Sequence, residues 1–325
     1  MRATRREFLA LAGALAAAPT TPLAAQDFWP SRPIRLIIGT AAGGSPDIIG
    51  RILGDKLAER LRQPVVVENL TQGAGAVAYQ TLSKSPPDGY TMGMLTAGFP
   101  PQAVLRKSSL AYDPLDGFAF VTLVCGYPMV YAVAPNSPIK SFPDLLEQAK
   151  SRPGRLTYTI NALGSIYHVL TKWIEMETGV ELTPIPYRGS ALAFTDVASG
   201  RVDVMVETAT SAFPRIRAGQ IRVLALSSAG RYPLMPEAPT VGETVPGIAF
   251  MSWLGLGMPP GTPRPYIDRI NREIRDALTL PDVQKRLVEG GNVATPSTPE
   301  EMRAHIASEM ARWTRVIDAA GLKPE

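Results

Sequence analysis

The first strong pattern in the sequence is a short apolar run, then a loop of small residues, then apolar positions at helical spacing. The run Ile34–Ile38 predicts a buried parallel strand. After the small residues of Gly39–Gly44, Ser45-Pro46-Asp47 predicts a helix start, because a hydroxyl cap, a first-turn proline and an acid all suit that end. The helix would turn one apolar face to the sheet through Ile48, Ile49, Ile52, Leu53, Leu57 and Leu61.

The same succession of strand, loop and helix recurs and predicts an α/β fold, because alternating strands and helices form parallel sheets with right-handed crossovers. Residues 97–117 combine proline, glycine and polar residues with few periodic apolar positions, and predict mostly loop. Further strands are predicted at Val65–Glu68, Thr91–Leu95, Leu156–Ile160, Leu182–Pro186, Val202–Val206 and Ile221–Leu226. The last predicted helices lie near Pro265, at Val283–Glu289 and at Pro299–Ala319.

Two longer extended runs predict connections between two lobes. The first comprises Ala119–Val124 and Met129–Val133 around Cys125-Gly126-Tyr127-Pro128, and the second is Ile248–Met258. We therefore expect one lobe of residues 26–124 and 248–325, with residues 125–247 inserted as a second lobe. Ligands of open parallel sheets lie beyond the carboxyl ends of the strands, so both lobes can line one cleft that closes on a ligand.

The loops after the predicted strands share a chemistry. Each presents backbone N–H groups at a helix start, several add a hydroxyl or an amide, and charged side chains are rare apart from Asp47, Arg188 and Glu207. Such loops favour a small anion, most simply a carboxylate, held by N–H groups, hydroxyls and water. Asp47 should organise its own loop. The loops are Thr40–Asp47, Gly73–Ala76, Thr96–Gly98, Asn161–Ser165, Arg188–Ser190 and Thr208–Ser211.

Nucleotide binding and nucleophilic catalysis have weaker support. Gly73–Ala78 fits the dinucleotide-binding pattern, but the acid that follows, Asp88, lies in a proline turn and not at a strand end. The sequence contains no G-x-S-x-G motif. The candidate serines Ser45, Ser165 and Ser190 are each explained as helix caps.

The two histidines give little support to a hydrolase or a metal site. His168 lies three residues after Ser165, which favours a local capping bond or a ligand contact over a Ser165/His168 catalytic pair. His305 is predicted to be a solvated or interfacial residue of the last helix. With two histidines, one cysteine and no tight carboxylate cluster, we expect neither a metal ion nor a cofactor.

Residues 1–25 predict an export signal. Arg2, Arg5 and Arg6 precede the short apolar run Phe8–Ala18, and Leu23-Ala24-Ala25 suits cleavage near Ala25. The stretch from residue 4 to residue 9 also fits a twin-arginine signal, and an uncleaved anchor is the competing interpretation. Removing residues 1–25 takes three arginines and one glutamate from 33 basic and 29 acidic side chains, which leaves a net charge of +2. This near-neutral balance does not favour nucleic-acid binding.

Taken in order, several motifs resemble the substrate-binding proteins of tripartite tricarboxylate transporters, also called Bug proteins. No single motif is specific, but together they cover nearly the whole chain after residue 25. They are Trp29–Arg35, Ala41–Asp47, Pro64–Asn69 with Gly73-Ala74-Gly75, Pro87–Tyr90, Gly164–His168, Pro186–Gly189, Gly200–Asp203 and Ser252–Leu256.

The resemblance implies a two-lobed periplasmic binding protein of the type II-like, Venus flytrap class. Such a protein is not an enzyme: it closes on a small di-, tri- or aromatic carboxylate and delivers it to a membrane permease. We expect a monomer. The implied ligand contacts are Thr40, Ala42, Gly43, Gly44, Ser45, Asp47, Gly73, Ala74, Gly75, Thr96, Asn161, Gly164, Ser165, His168, Arg188, Gly189, Ser190 and Glu207.

The sequence departs from the family pattern in places that leave the ligand open. Leu70-Thr71-Gln72 replaces a common Arg-Pro step, Ala41-Ala42 replaces a frequent x-Pro, and Glu207 stands where aspartate is more usual. Two other functions stay open at this point. One is a ligand-presenting sensor for a membrane histidine kinase, and the other is a hydrolase that uses Ser165 and His168.

Overall fold

The computed structural model describes residues 29–187 and 189–322. The predicted export signal, residues 1–25, and Arg188 lie outside the described residues. The strands are β1 (Ile34–Ile38), β2 (Val65–Asn69), β3 (Thr91–Thr96), β4 (Ala119–Val133), β5 (Thr157–Ile160), β6 (Thr183–Pro186), β7 (Met205–Thr208), β8 (Arg222–Leu226), β9 (Met251–Met258) and β10 (Val293–Ala294). All of them belong to the compact unit that begins at Arg32.

The helices follow the strands in the predicted alternation. They are α1 (Ser45–Leu61), α2 (Ala76–Ser83), α3 (Phe99–Leu105), α4 (Phe142–Ser151), α5 (Ile166–Thr178), α6 (Ser190–Ala198), α7 (Ala209–Arg217), α8 (Val241–Thr244), α9 (Arg264–Ala277), α10 (Pro281–Glu289) and α11 (Pro299–Ala319). Short 3-10 helices span Gln72–Gly75 and Lys107–Ser109. The predicted Thr298 cap of α11 is confirmed: its hydroxyl accepts a hydrogen bond from the Glu301 N–H in a capping box.

The main sheet has the strand order β10-β4-β9-β3-β1-β2. β1 is parallel to both β2 and β3, which confirms the arrangement predicted for the first three strands. β9 runs antiparallel to β3 and to β4. The carboxyl ends of β1 and β3 therefore meet at one edge of the sheet, where the following loops lead to helices.

β4 joins the two lobes as a single strand of 15 residues. Its first part pairs with β9 from Ala119↔Met258 to Pro128↔Met251, and its last part, from Met129 onward, pairs with β7 and β8. The residues in the middle of the predicted extended run, Cys125 to Pro128, pair with β9 and keep the backbone extended. In the second lobe β5 and β6 form a parallel pair. The two-lobed α/β fold is thus confirmed.

The prediction of mostly loop for residues 97–117 is wrong, because α3 forms there. Pro100 and Pro101 lie in the first turn of the helix, where a missing N–H costs nothing, so these prolines start a helix. Phe99 is fully buried and contacts Tyr79 and Phe118 edge-on, at ring-centroid distances of 5.0 and 5.4 Å. Tertiary burial of one aromatic ring therefore stabilises a helix that has little periodicity of its own.

Candidate functional site

A cavity of about 170 Å³ lies between the two lobes. Strand ends and helix starts form most of its wall. Residues from the β1, β3 and α1 region of the first lobe face residues from the β5, β7, α5 and α6 region of the second. The predicted ligand contacts that line the cavity are Thr40, Gly44, Ser45, Thr96, Asn161, Ser165, Ser190 and Glu207.

Other predicted contacts lie outside this lining. Among the described residues, those that do not line the cavity are Ala42, Gly43, Asp47, Gly73, Gly75, Gly164, His168 and Gly189. The side chain of Ala74 is not described, and Arg188 lies outside the described residues. The cavity lining therefore contains mainly the polar members of the predicted loops. Most of the glycines of those loops are not part of it.

The buried carboxylate of Asp47 organises the first loop. Its Oδ2 accepts hydrogen bonds from the Gly43 N–H at 2.9 Å and from Arg51 Nε at 3.0 Å, and Oδ1 accepts from Asn69 Nδ2 at 3.0 Å. Burial by itself raises the pKa of Asp47, but the bonds from Arg51, Gly43 and Asn69 outweigh it and lower the pKa below its ordinary value. Asp47 is thus ionised and holds its own loop, as expected from the sequence.

Helix N-termini from both lobes meet at the cavity. Ser45, Ile166 and Ser190 are the first residues of α1, α5 and α6, Thr208 is the N-cap of α7, and all four line the cavity. The first N–H groups of a helix have no partner within the helix, and the helix dipole places partial positive charge there. This end of the cavity wall is therefore suited to an anion without needing a cationic side chain.

Two hydroxyl groups on opposite sides of the cavity have no hydrogen-bond partner among the described residues. They are Thr40 Oγ1 in the first lobe and Ser165 Oγ in the second, and both oxygens are buried. An unpaired buried hydroxyl costs free energy, so its presence in a cavity wall is typical of a group that a ligand or water satisfies.

The explanation of the three serines as helix caps is wrong. Ser165 occupies the N-cap position of α5, but its hydroxyl makes no capping hydrogen bond. Ser45 and Ser190 are the first helical residues and follow the N-cap glycines Gly44 and Gly189. The Ser45 hydroxyl instead reaches Thr210 Oγ1 of the second lobe at 3.0 Å. None of the three hydroxyls therefore caps its helix, and that of Ser45 bonds to the second lobe.

Glu207 carries the only charge among the described residues that line the cavity. Its side chain is buried, and Oε1 accepts hydrogen bonds at 2.8 Å from the Tyr167 hydroxyl and from the Thr208 N–H. Burial, together with the Glu207 carboxylate, raises the pKa of Tyr167 well above its ordinary value. Tyr167 therefore stays protonated and serves as a donor.

Comparison with known proteins decides the family. The profile of the tripartite tricarboxylate transporter family receptor (TctC) matches residues 49–322. The chain belongs to this receptor family. It is similar to Protein BugT of Bordetella pertussis, with 34% identity over 319 residues that cover 97% of this chain and 96% of BugT.

Solved structures agree with the assignment to the TctC receptor family. The structure of an R. palustris protein with adipate has a TM-score of 0.85 and 34% identity, and the match covers 91% of this chain and 100% of that one. The periplasmic binding protein BugD has a TM-score of 0.83 and 28% identity, with coverage of 91% and 100%. The fold predicted from the sequence is thus that of solved relatives.

The sequence alone missed several residues that line the cavity of this TctC receptor. Tyr127 and Ser252 lie opposite each other on the crossing strands β4 and β9, and Gln102 lies on α3. The two crossings were predicted, and strands that connect two lobes also form the floor of the cleft between them. The predicted crossing strands could therefore have identified Tyr127 and Ser252. Gln102 could not be identified, because the helix that carries it, α3, was not predicted.

His168 acts within its own loop. It is buried, and its Nδ1 accepts a hydrogen bond from the Gly164 N–H at 3.0 Å, which matches the local capping bond considered from the sequence. Ser165 Oγ has no hydrogen-bond partner among the described residues, so neither histidine bonds to it there. His305, predicted to be solvated or interfacial, is half-buried, with its ring edge-on to Trp253 at 5.2 Å.

His168 is expected to make this receptor less stable in mild acid. Burial, and secondarily the charge of Lys172, lowers the pKa of His168 to about 4. Between the ordinary pKa of roughly 6.5 and this value the unfolded chain binds a proton that the folded chain refuses, so stability falls as pH falls through this window. Melting temperatures from pH 7.5 to pH 4 should therefore fall less steeply for His168→Gln, which keeps an acceptor but does not titrate. Equal slopes would contradict this role.

A metal site and a membrane-spanning helix are both without support in the part of the chain that the structure describes. Within those residues, no cluster of three or more His, Cys, Asp or Glu side chains could hold a metal ion. None of the helices there combines the length and the hydropathy needed to cross a bilayer.

Proposed function

We propose that this TctC-family receptor is a periplasmic binding protein that captures a small carboxylate between its lobes and passes it to a membrane permease. The observation that carries the proposal is the convergence of four helix N-termini and two unpartnered buried hydroxyls on one cavity. A carboxylate satisfies those donors, whereas an apolar or cationic ligand leaves them unpaired. The structural relative solved with adipate supports a carboxylate ligand.

The contacts to the ligand come from backbone N–H groups, hydroxyls and water. The proposed direct contacts are the predicted residues that line the cavity, from Thr40 and Ser45 in the first lobe to Ser165, Ser190 and Glu207 in the second. We assign the other predicted residues, including Asp47 and His168, to the shape of the loops. Arg188 follows β6 and precedes α6, and we keep it as the proposed cationic contact.

The small size of the cavity limits the ligand. Its volume of about 170 Å³ lies below the roughly 300–1,000 Å³ that is usual for sites of drug-sized molecules. A dicarboxylate, a tricarboxylate or a single-ring aromatic carboxylate is of suitable size. The lobes, residues 26–124 with 248–325 and residues 125–247, would close on it by bending at the crossing strands β4 and β9.

The protein binds its ligand without converting it, and it acts outside the cytoplasm. Residues 1–25 carry the features of a cleaved export signal, which fits the receptors of this family. Ser165, the serine of the alternative hydrolase, has no base beside its hydroxyl among the described residues. Ester substrates should therefore be hydrolysed at the same background rate by the wild type and by Ser165→Ala.

A thermal-shift screen tests the proposal. The set comprises C4–C6 dicarboxylates, tricarboxylates, nicotinate and terephthalate, with neutral sugars and divalent metal salts as controls. The true ligand at a hundred times its Kd stabilises the folded state by about 2.7 kcal/mol, which gives a clear increase in melting temperature. Stabilisation by a sugar or a metal and by no carboxylate would overturn the proposal. Pull-down from envelope membranes then separates a permease partner from a histidine kinase.

A further inference from the structure

Glu207 places a negative charge in a cavity whose helix N-termini suit an anion. The rest of the described lining is neutral and offers mainly donors, whereas Glu207 puts a buried carboxylate on the second-lobe wall. Two carboxylates facing each other across a few ångströms repel, and in a poorly hydrated site neither charge is screened. The ligand must therefore present a different chemical group to Glu207.

The hydrogen bonds of Glu207 leave one of its oxygens available. The Tyr167 hydroxyl and the Thr208 N–H both donate to Oε1. No described residue donates a hydrogen bond to Oε2, and Glu207 lines the cavity. A carboxylate oxygen in such a site is satisfied by a donor, and removing it from water without one is costly.

The ligand group that donates a hydrogen bond to Glu207 Oε2 must carry its proton at neutral pH. A protonated carboxyl group could donate, but carboxylic acids titrate near pH 4, so at pH 7.5 only about one carboxyl group in 3,000 is protonated. An alcohol hydroxyl and an ammonium group both carry their protons at that pH. Both are common on small carboxylates, and both are shorter than a further carboxyl group.

We infer that Glu207 selects carboxylates that also carry a hydroxyl or an ammonium group, through a hydrogen bond from that group to Oε2. This inference rests on the proposed function and names the ligand class of the same site. The helix N-termini and the hydroxyls of Thr40 and Ser165 hold the carboxylate end of the ligand. Glu207, on the second-lobe wall, accepts a hydrogen bond from the substituent of the ligand.

Matched ligands of equal carbon number test the inference. Calorimetric Kd values at pH 7.5 are compared for succinate, malate and aspartate, and for glutarate, 2-hydroxyglutarate and glutamate, on protein freed of bound ligand by dialysis. In at least one series the hydroxy or the amino acid should bind ten or more times more tightly than the unsubstituted acid. Malate and aspartate then distinguish a hydroxyl from an ammonium donor.

The variant Glu207→Gln should change which ligand the protein prefers, and not only weaken binding. Tyr167 and Thr208 both donate to the Oε1 position, so the amide oxygen should take that place and the amide NH₂ should face the cavity. The variant then offers a donor where the wild type offers an acceptor. The unsubstituted acid should gain affinity, and the substituted acids should lose affinity. The preference for the substituted over the unsubstituted acid should therefore fall from tenfold or more to about onefold or below.

Controls separate this role from a structural one. Glu147→Gln, an exposed position on α4 of the same lobe, should keep the wild-type Kd values and preference. Equal weakening of all ligands by Glu207→Gln would overturn the inference, as would equal wild-type affinities within each series or no binding by any member. If another carboxylate from the screen still binds, the proposed function survives. If no carboxylate binds, both fail.

Discussion

The double variant Thr40→Val/Ser165→Ala should lose about 100-fold or more in affinity for the carboxylate that the wild type binds. Each hydroxyl is buried at the cavity and unpartnered among the described residues, so a bound carboxylate is its natural acceptor. A hydrogen bond to a charged group is worth about 1.5–3 kcal/mol, so the loss of both bonds should weaken binding by about 3 kcal/mol or more. Because both hydroxyls bind the same carboxylate, comparison of the single variants with the double variant measures their coupling. Isothermal titration calorimetry of both single variants and the double variant measures this.

The same substitutions should not destabilise the empty protein. An unpaired buried hydroxyl costs free energy in the folded state, so its removal should leave the melting temperature without ligand unchanged or raise it. Ser199→Ala and Thr314→Val, at exposed positions, provide matched controls and should keep wild-type affinity. If the double variant binds as the wild type does, these hydroxyls are not part of the site.

Trp313→Ala should lower the free energy of unfolding by about 3–5 kcal/mol, the range for removing a large aromatic side chain from a core. Trp313 is fully buried in α11 and contacts Phe250 and Trp173 edge-on at centroid distances of 5.4 and 6.2 Å. Its Nε1–H also donates to the buried Glu309 at 3.0 Å, so the substitution leaves that carboxylate short of a donor. Urea unfolding followed by circular dichroism measures the change.

Trp313→Phe is the matched control for this prediction. It keeps a ring against Phe250 and Trp173 but loses the N–H group, so it should destabilise the protein by less than alanine does. The difference between the two variants separates packing from the hydrogen bond to Glu309. A loss below about 1 kcal/mol for Trp313→Ala would mean that the contacts of α11 with Phe250 and Trp173 contribute little to stability.

Local patterns predicted the parts of the fold that local physics controls. The apolar runs gave β1 and β3 to within a residue, and the Thr298 cap gave the start of α11. Local patterns failed at Phe99–Leu105, because the prolines of this first helical turn are also typical of a loop. The helix there depends on burial of the Phe99 ring. The extended run through Cys125–Pro128 was predicted, but its pairing with β9 was not, because the two strands lie more than a hundred positions apart.

For the site, the sequence named eight of the residues that line the cavity, but it did not separate them from neighbours in the same loops that lie outside the lining. It placed both Ser165 and His168 among the ligand contacts, whereas in the structure the Ser165 hydroxyl has no partner among the described residues and His168 bonds its own loop. Both side chains are polar and follow the same strand, so composition and spacing cannot distinguish them. The direction of each side chain follows from how α5 packs on its lobe.

The sequence by itself determined that this protein has helix starts after strand ends, with small and hydroxyl residues at those starts, because these properties depend on a few neighbouring residues. Only the tertiary structure decided that four such starts and the Thr40 and Ser165 hydroxyls meet at one cavity, with Glu207 as its single charge among the described lining residues. The physical reason is that β4 and β9 link the lobes through pairings between residues more than a hundred positions apart. Those pairings fix where the loops point, and no local pattern encodes them.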